Sequence, residues 1–425
     1  MAPRDFVFAH LADAHVGAWP RDPAVRAALR ESVLTALRTV AERSADFLLI
    51  SGDLFHTPVP DPDEVAPIAA ALRDLAGRGV RVYVIFGSHD YVAHRTSWLD
   101  VLAETGVFLK VAPEAVRSEG TRWTLPFLID EPTEVRIAGI SGRSHGLDRE
   151  YFRAVDSEAF RAEPGFKVFQ FHAAVEDYLP PSLREHLHGI RADDLPFGCD
   201  YYAGGHIHYT YEGEGPGGGL LVNPGAVFGT SRTDLEHGQA GRTHQGVAIV
   251  TVERGRPTVE FVDTAPRDAV RLVDVDVSGK TAEEARGELR ERLAHEAAPG
   301  MLVFPRVHGE LSDGSIASLS LAEVARSVGK VAGTIHWDVR DLVTAAEGAP
   351  PSTESDIESL EVARLLAETG LSAPWTAGTE GERRVRELLR ELGIPKADGE
   401  SRQDYASARI GSARRLLGIR SDDGA

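Results

Sequence analysis

Residues 46–56 read DFLLISGDLFH, and this stretch decides the fold: an apolar, strand-like run ends at Gly52 and delivers Asp53 to a loop. A run of about four to eight apolar residues closed by a turn residue is typical of a buried strand. Glycine lets the backbone turn sharply, so the carboxylate of Asp53 can face the edge where the strand ends. A carboxylate in this position could bridge two metal ions.

Other strand-like runs along the chain also end in polar residues. The runs are FVFAHL, VRVYVIF, KVFQF and CDYYA. Because the carboxyl ends of parallel strands meet at one edge of a sheet, the side chains that follow them are expected to line one rim. In chain order these side chains are Asp13 and His15, then Ser88, His89 and Asp90, then His172, then His206 and His208.

Segments with helical periodicity lie between the runs. Residues 23–43 and 61–79 place apolar residues at three- and four-residue steps, and each begins near an Asp–Pro pair. Strands that alternate with such helices indicate an α/β fold in which helices cover a sheet.

The length of 425 residues predicts about two or three domains. The α/β pattern occupies residues 1–265, and a smaller α+β domain, with two strand-like and two helix-like segments, fits residues 266–346. The Pro-, Ser- and acid-rich stretch at 347–356 is typical of a flexible connection. Residues 347–425 are therefore expected to be a linker followed by a helical pair.

Composition excludes several classes of protein. Cys199 is the only cysteine, which rules out intrachain disulfides and cysteine-based metal clusters. No apolar run has the length of a signal peptide or membrane span, so a cytoplasmic protein without a membrane partner is expected. The net charge of −19 argues against sequence-blind adhesion to nucleic acid through a basic surface. Bound divalent cations can reverse the sign of an acidic pocket, so a local site for a polyanion stays open.

Carboxylates and imidazoles without thiolates suit manganese, iron or zinc better than calcium or magnesium. Paired metal sites about 3.5–4 Å apart suit the hydrolysis of phosphate esters. The residues alone therefore predict a two-metal hydrolase.

The order of motifs, D-x-H, G-D, G-x-H-D, His and G-H-x-H, resembles the calcineurin-like metallophosphoesterase superfamily. Within it, the string GDLFH at 52–56, the chain length, the small domain and the helical tail resemble the SbcD-like DNA double-strand-break repair exonucleases. The motifs cover roughly residues 8–230. The resemblance implies a four-layer α/β sandwich, a small α+β cap over the metal cleft and a helical tail that binds a partner.

The resemblance also implies a role for each motif residue. His56 and His89 would lie close to the substrate phosphate. Asp90 is assigned from its position next to His89 in the chain, from which its carboxylate could orient that ring. The family has Asn where this chain has Ser88, and a hydroxyl is a weaker neutral donor than an amide oxygen. Weaker binding of the second ion is therefore expected. The ligands would be Asp13, His15, Asp53 and His208 for one metal, and Asp53, Ser88, His172 and His206 for the other.

The function that the resemblance implies is manganese-dependent phosphodiester hydrolysis at DNA ends, with two divalent ions per site. The enzyme would act as an exonuclease in double-strand-break repair, and endonuclease activity and a homodimeric state are left open. The tail would bind an SMC-like ABC-type ATPase subunit.

Other readings remain open at this level. The same metal box could serve a small-molecule phosphodiesterase or phosphatase, or Ser88 could leave a scaffold that binds DNA or the ATPase without catalysis. His172 could be a hydrogen-bonded core histidine, and His56 could cap a loop. Asn223-Pro224-Gly225 is read as a tight turn, and the tail could pack on the chain's own body.

Overall fold

The computed structural model describes residues 4–90, 96–111, 116–117, 123–142, 148–184, 187, 189–328 and 334–344. The predicted helical tail at 347–425 lies outside the described residues. In the described part of the chain, no helix combines the length and apolar character needed to cross a membrane.

A six-stranded sheet carries the first three polar loops. Strands β1 to β4 are parallel neighbours, and the antiparallel hairpin β13–β14 extends the sheet beyond β1. The bounds are β1 Phe6–Leu11, β2 Phe47–Ser51, β3 Arg81–Ile85, β4 Leu109–Lys110, β13 Gly246–Glu253 and β14 Arg256–Asp263.

A second six-stranded sheet carries the remaining loops. Four of its strands are parallel, with an antiparallel strand at each edge, in the order β11-β12-β10-β9-β8-β7. A separate two-stranded ribbon pairs β5, Val116–Arg117, with β6, Trp123–Thr124. The bounds in the six-stranded sheet are β7 Leu128–Asp130, β8 Val135–Ile140, β9 Lys167–Phe171, β10 Tyr201–Ala203, β11 Tyr211–Glu214 and β12 Leu220–Asn223.

The two sheets pack face to face because successive residues of a strand point to opposite faces. In β2, Phe47 and Leu49 enter a buried cluster that also contains Val168 and Tyr201 of the second sheet. Leu48 and the other outward-facing residues of β2 instead pack under helices. This alternation produces the central two layers of the fold.

Helices cover both outer faces. Each of the two long helices starts with Pro at its first turn, after Asp22 and Asp61 respectively, as predicted. The first sheet is covered by α1 Pro23–Glu42, α2 Pro62–Gly77, α3 Trp98–Glu104 and α7 Arg232–Gln239. Beside the second sheet lie the short helices α4 Asp148–Arg153, α5 Ser157–Ala162 and α6 Pro181–Arg184. The predicted four-layer α/β arrangement is confirmed.

The segments predicted beyond residue 265 also form. Strand β15, Val270–Asp276, pairs in parallel with β16, Leu302–Leu311, and two helices follow the predicted positions, α8 Ala282–Glu296 and α9 Leu321–Val328. Strand β17, Thr334–Ile335, pairs with the start of β16. Arg232 and Gln239 of α7 donate hydrogen bonds to carbonyl oxygens of this sheet.

Backbone contacts divide the chain into two compact units. The first contains Met1–Val277, Glu283–His308 and Leu319–Asp341. In the second, the end of β16 pairs with β18, Leu342–Thr344, and Thr281 bridges to Asp313. The domain limits 1–265, 266–346 and 347–425 stay predictions.

Candidate metal centre

The predicted site residues lie at the carboxyl ends of parallel strands of both sheets. Asp13 and His15 follow β1, Asp53 follows β2, and residues 88–90 follow β3. From the second sheet, His172 follows β9, and residues 206–208 follow β10. As predicted, the strand ends bring these groups together. Asp13, His15 and His208 form one cluster, and Asp53, His172 and His206 form another.

Four of these residues have backbone conformations that side chains other than glycine rarely adopt. The φ angles are 50° at Asp13, 46° at His15, 53° at Asp53 and 91° at His206. A non-glycine residue in this region costs roughly 1–2 kcal/mol. Strained backbone concentrated at polar loop residues is characteristic of functional sites, because the surrounding fold must compensate for it.

Glycines in the motifs are required by close contact with the site. A Cβ atom added at Gly87 would lie 2.1 Å from Oδ1 of Asp53. At Gly52, whose φ is +89°, the added atom would lie 2.3 Å from Nδ1 of His172. Larger residues would displace the two side chains that face these positions.

The first ligand group consists of Asp13, His15 and His208. Their ligand atoms all lie within 4.8 Å of one another. Nε2 of His15 is 3.0 Å from Nε2 of His208 and 3.6 Å from Oδ2 of Asp53. Two imidazole nitrogens and two carboxylates thus converge on one small volume.

The second ligand group consists of Asp53, His172 and His206, whose ligand atoms also lie within 4.8 Å of one another. Nε2 of His172 is 3.1 Å from Oδ2 of Asp53. On the far side of the ring, Nδ1 of His172 donates to the carbonyl oxygen of Ser51 at 2.8 Å. Oδ2 of Asp53 faces His172 and His15 together, which suits a carboxylate shared by both groups.

Ser88 lies next to the second ligand group. Its Oγ donates to Oδ2 of Asp53 at 3.3 Å, the same oxygen that faces His172. The hydroxyl is therefore close to the position predicted for it, and its role as a ligand stays a prediction.

His56 and His89 form an aromatic pair on the solvent side of His15. Their rings stack with centroids 5.0 Å apart, and Nδ1 of His89 bonds to the carbonyl oxygen of His56 at 2.9 Å. The backbone N–H of His89 donates to Oδ1 of Asp53 at 2.8 Å. His56 is half-buried and His89 is exposed, so a bound substrate can reach them.

Asp90 has a different set of partners from the one expected. Its buried carboxylate accepts hydrogen bonds from the backbone N–H groups of Leu54, Phe55 and Gly87, at 3.3, 3.1 and 3.0 Å. The ring of His89 instead bonds to His56. Asp90 thus ties together the loops that follow β2 and β3, and these contacts do not orient His89.

The electrostatics are those of a site short of positive charge. Burial raises the pKa of the Asp13 carboxyl to about 6, although nearby histidines oppose the shift. Burial also acts against a charged His172, but Asp53 and Asp13 outweigh it and raise the pKa of the ring to about 10. His208 behaves in the same way, because the carboxylate of Asp234 raises its pKa to about 9 against the effect of burial.

The other two imidazoles of the ligand groups have lowered pKa values. Burial and the charge of His172 lower the pKa of His206 to about 4, and burial and His208 lower that of His15 well below its usual value. For Asp53, burial is outweighed by His172, and the pKa falls well below its ordinary range.

This donor set fits divalent metal ions. A cation must displace protons from its ligands, and the carboxylates beside His172 and His208 raise the pKa of both rings. Both rings are fixed from behind, His172 by Ser51 and His208 by Asp234, so that Nε2 faces the site in each. Oxygen and imidazole ligands without thiolate match first-row metals such as manganese, iron and zinc.

Two contributing residues were missed from the sequence. Asp234 on α7 accepts from Nδ1 of His208 at 3.0 Å. Asn223, which was read as a turn residue, is fully buried. Its Nδ2 donates to the carbonyl oxygens of Ile207 and Tyr209 at 2.6 and 2.8 Å. These bonds hold the loop that carries His206 and His208. The Ser231-x-x-Asp234 capping pattern was visible in the sequence, but its contact with His208 was not.

Residues 6–210 match the family described as calcineurin-like phosphoesterase. The chain is also similar to proteins named DNA double-strand break repair protein Mre11. It is 26% identical to that of Archaeoglobus fulgidus over 70% of this chain and 67% of the relative. It is 26% identical to that of Methanopyrus kandleri over 67% of this chain and 62% of the relative, less than two thirds of that protein. For that of Thermoplasma acidophilum the identity is 25% over 71% and 77%.

Proposed function

We propose that this chain, whose residues 6–210 match the calcineurin-like phosphoesterase family, is a metal-dependent nuclease that cleaves phosphodiester bonds at DNA ends. The observation that carries the proposal is the pair of ligand groups joined at Asp53. DNA as substrate is proposed because the relatives are named as DNA double-strand break repair proteins. Two ions, with manganese preferred, are part of the proposal.

The chain's own residues would hold the ions and the substrate. Asp13, His15 and His208 would bind one ion, His172 and His206 the other, and Asp53 both. Divalent ions at such a site neutralise charge on the phosphoryl oxygens and supply an activated water. Ser88 would contribute at the second ion, by its hydroxyl directly or through a water molecule.

His89 would act on the substrate. Its Nδ1 is engaged by the carbonyl oxygen of His56, so Nε2 is the ring nitrogen that would act on the substrate. From the solvent side of the ligand groups, Nε2 could donate a hydrogen bond to the leaving oxygen or a proton to it as it departs. His56, stacked on His89, would hold that ring and contact the phosphate. Asp90 would act through the backbone of the ligand loops.

The partner and the assembly are also proposals. Residues 347–425 would bind an SMC-like ABC-type ATPase, and the chain would work as the nuclease subunit of that complex. A homodimer and a cytoplasmic location complete the proposal.

The test follows cleavage of end-labelled double-stranded and single-stranded DNA by the full chain with added manganese. We expect cleavage that a chelator abolishes and that His89→Ala lowers by roughly 100–10,000-fold, the range for removal of a general acid. His295→Ala is the matched control, because His295 is an exposed histidine in the last turn of α8.

Each other outcome points to a different function. Hydrolysis of small phosphodiesters without DNA cleavage would make the chain a small-molecule phosphodiesterase. DNA binding without turnover on any substrate would make it a scaffold, and the nuclease proposal would then be wrong. Equal losses in His89→Ala and His295→Ala would remove the role assigned to His89.

A further inference from the structure

The ring of His208 is held on the side that faces away from the ligand groups. Its Nδ1 lies 3.0 Å from Oδ2 of Asp234, and its Nε2 lies 3.0 Å from Nε2 of His15. An imidazole that donates from Nδ1 to a carboxylate presents the lone pair of Nε2 on its other edge. The contact with Asp234 therefore determines which nitrogen of His208 faces the metal position.

The carboxylate of Asp234 is itself fixed. It is the third residue of α7, and Ser231 at the N-cap completes a capping box with it. Its Oδ2 also accepts from the backbone N–H groups of Thr230 at 2.7 Å and Ser231 at 3.1 Å. At Gly229, with φ of +109°, an added Cβ would lie 2.4 Å from the Cβ of Asp234, so the loop can approach the carboxylate only as glycine.

Helix α7 is held in turn by hydrogen bonds to the sheet that contains β15, β16 and β17. Arg232 is 4% exposed, and its guanidinium donates to the carbonyl oxygen of Phe304 at 3.2 Å and to Asp274 at 3.3 Å. At the other end of the helix, Gln239 donates to the carbonyl oxygen of Val270 at 2.8 Å. The helix is thus anchored at both ends, and little freedom remains for Asp234.

We propose that Asp234 is a positioning residue, which fixes the ring of His208 so that Nε2 can bind a metal ion. This inference rests on the proposed function, because His208 has a ligand role only if the site binds metal. Carboxylates behind metal-bound histidines typically change metal affinity by roughly 10–100-fold when they are removed.

Helix α3 provides the control for a purely structural role. Its capping box pairs Ser97 with Asp100, which also stands at the third position of the helix. Asp100 accepts from Nζ of Lys110 at 2.9 Å, and no histidine among the described residues bonds to it. If capping were the only role of Asp234, the two aspartates would respond alike to substitution.

The experiment measures manganese binding to the full chain by titration, following free Mn²⁺ by electron paramagnetic resonance. We expect Asp234→Asn to weaken the binding of one ion by roughly 10–100-fold and Asp100→Asn to leave both affinities unchanged. Thermal unfolding without metal reports the capping loss in both variants. In a His208→Ala background, Asp234→Asn should have no further effect, because the two side chains act as one unit.

The outcomes separate this inference from the proposed function. Wild-type affinities in Asp234→Asn, equal losses in Asp234→Asn and Asp100→Asn, or an undiminished effect of Asp234→Asn without His208 would each overturn the positioning role alone. A wild-type chain that binds no manganese, or any other divalent first-row metal, would overturn the proposed function and the positioning role together.

Discussion

His208 in the first ligand group is oriented by a side chain, that of Asp234, whereas His172 in the second is oriented by the backbone carbonyl of Ser51. A side chain can be changed by one mutation, but the backbone carbonyl oxygen stays in place whatever residue occupies position 51, the last of β2. Beside the second group lies Ser88, the position at which this chain departs from the family that it resembles. We therefore expect metal binding by the first group to depend on Asp234, behind its ligand His208. Binding by the second group should depend on Ser88, beside its ligand Asp53.

The largest effect is expected for Asp53, because its carboxylate is shared by both ligand groups. Asp53→Asn keeps the acceptor for the N–H of His89 but removes the charge that faces His15 and His172. We expect both ions to be lost and DNA cleavage to fall by roughly 1,000-fold or more, about 4 kcal/mol of activation free energy. Isothermal titration with Mn²⁺ gives the ion count. Retention of one full-strength ion would show that Asp53 serves a single group.

A smaller effect is expected when one group is disabled alone. His172→Gln should reduce the number of bound Mn²⁺ ions from two to one, because only the second group loses a ligand, and cleavage should fall by roughly 100-fold. His208→Gln is the matched change in the first group. If either substitution abolished the binding of both ions, the two groups would not be separable sites.

The third prediction concerns the exception in the second group. Ser88→Asn supplies an amide oxygen, a stronger neutral ligand than a hydroxyl, beside Oδ2 of Asp53. We expect roughly tenfold tighter binding of the weaker ion, about 1.4 kcal/mol, with the tighter ion unchanged. The comparison uses manganese titrations of Ser88→Asn, Ser88→Ala and the wild type. Equal affinities in all three would mean that position 88 contributes nothing to the ion.

The last prediction concerns the free energy of unfolding, through the polar network behind the second group. His10 is fully buried, and its Nε2 lies 3.0 Å from Oγ of Ser51, whose carbonyl oxygen holds His172. Burial lowers the pKa of His10 to about 3, although a hydrogen bond to Gly204 opposes the shift. The unfolded chain therefore binds one more proton than the folded chain between about pH 6.5 and pH 3.

The contribution of His10 to stability is therefore complete above about pH 6.5 and is lost as the pH falls toward 3. The slope contributed by this one group should approach roughly 1.4 kcal/mol per pH unit. Urea unfolding between pH 5 and 7, in the presence of a chelator, should give a shallower pH dependence for His10→Gln than for the wild type. His295→Gln, an exposed histidine, should keep the wild-type slope.

The sequence predicted the ligands because each follows a buried strand, and parallel strands end at the same edge. It could not predict partners that are distant in the chain and unmarked by a motif. Asp234 lies 26 residues from His208, and its capping pattern does not reveal a second role. Asn223 was read as a turn residue because its side-chain contacts, with Ile207 and Tyr209, depend on the pairing of β11 with β12.

The interpretation of Asp90 relied instead on its adjacency to His89 in the sequence. Asp90 was expected to orient His89 because the two are neighbours in the sequence, but consecutive residues in a turn can point in different directions. The carboxylate of Asp90 faces backbone N–H groups of Leu54 and Phe55, more than thirty residues earlier in the chain. Sequence proximity thus suggested a contact that Asp90 does not make, whereas strand periodicity predicted which side chains meet in the two ligand groups, and their binding of metal stays a prediction.

The left-handed backbone at Asp13, His15, Asp53 and His206 has a consequence for engineering. Glycine tolerates this conformation, so a glycine substitution at any of the four would relieve backbone strain of roughly 1 kcal/mol. The same substitution at Asp13 or Asp53 would remove hydrogen bonds to His206 and to His89. A directed-evolution screen that rewards heat resistance alone therefore measures which of the two contributions is larger, and every glycine variant that it enriched at these positions would have lost a predicted ligand.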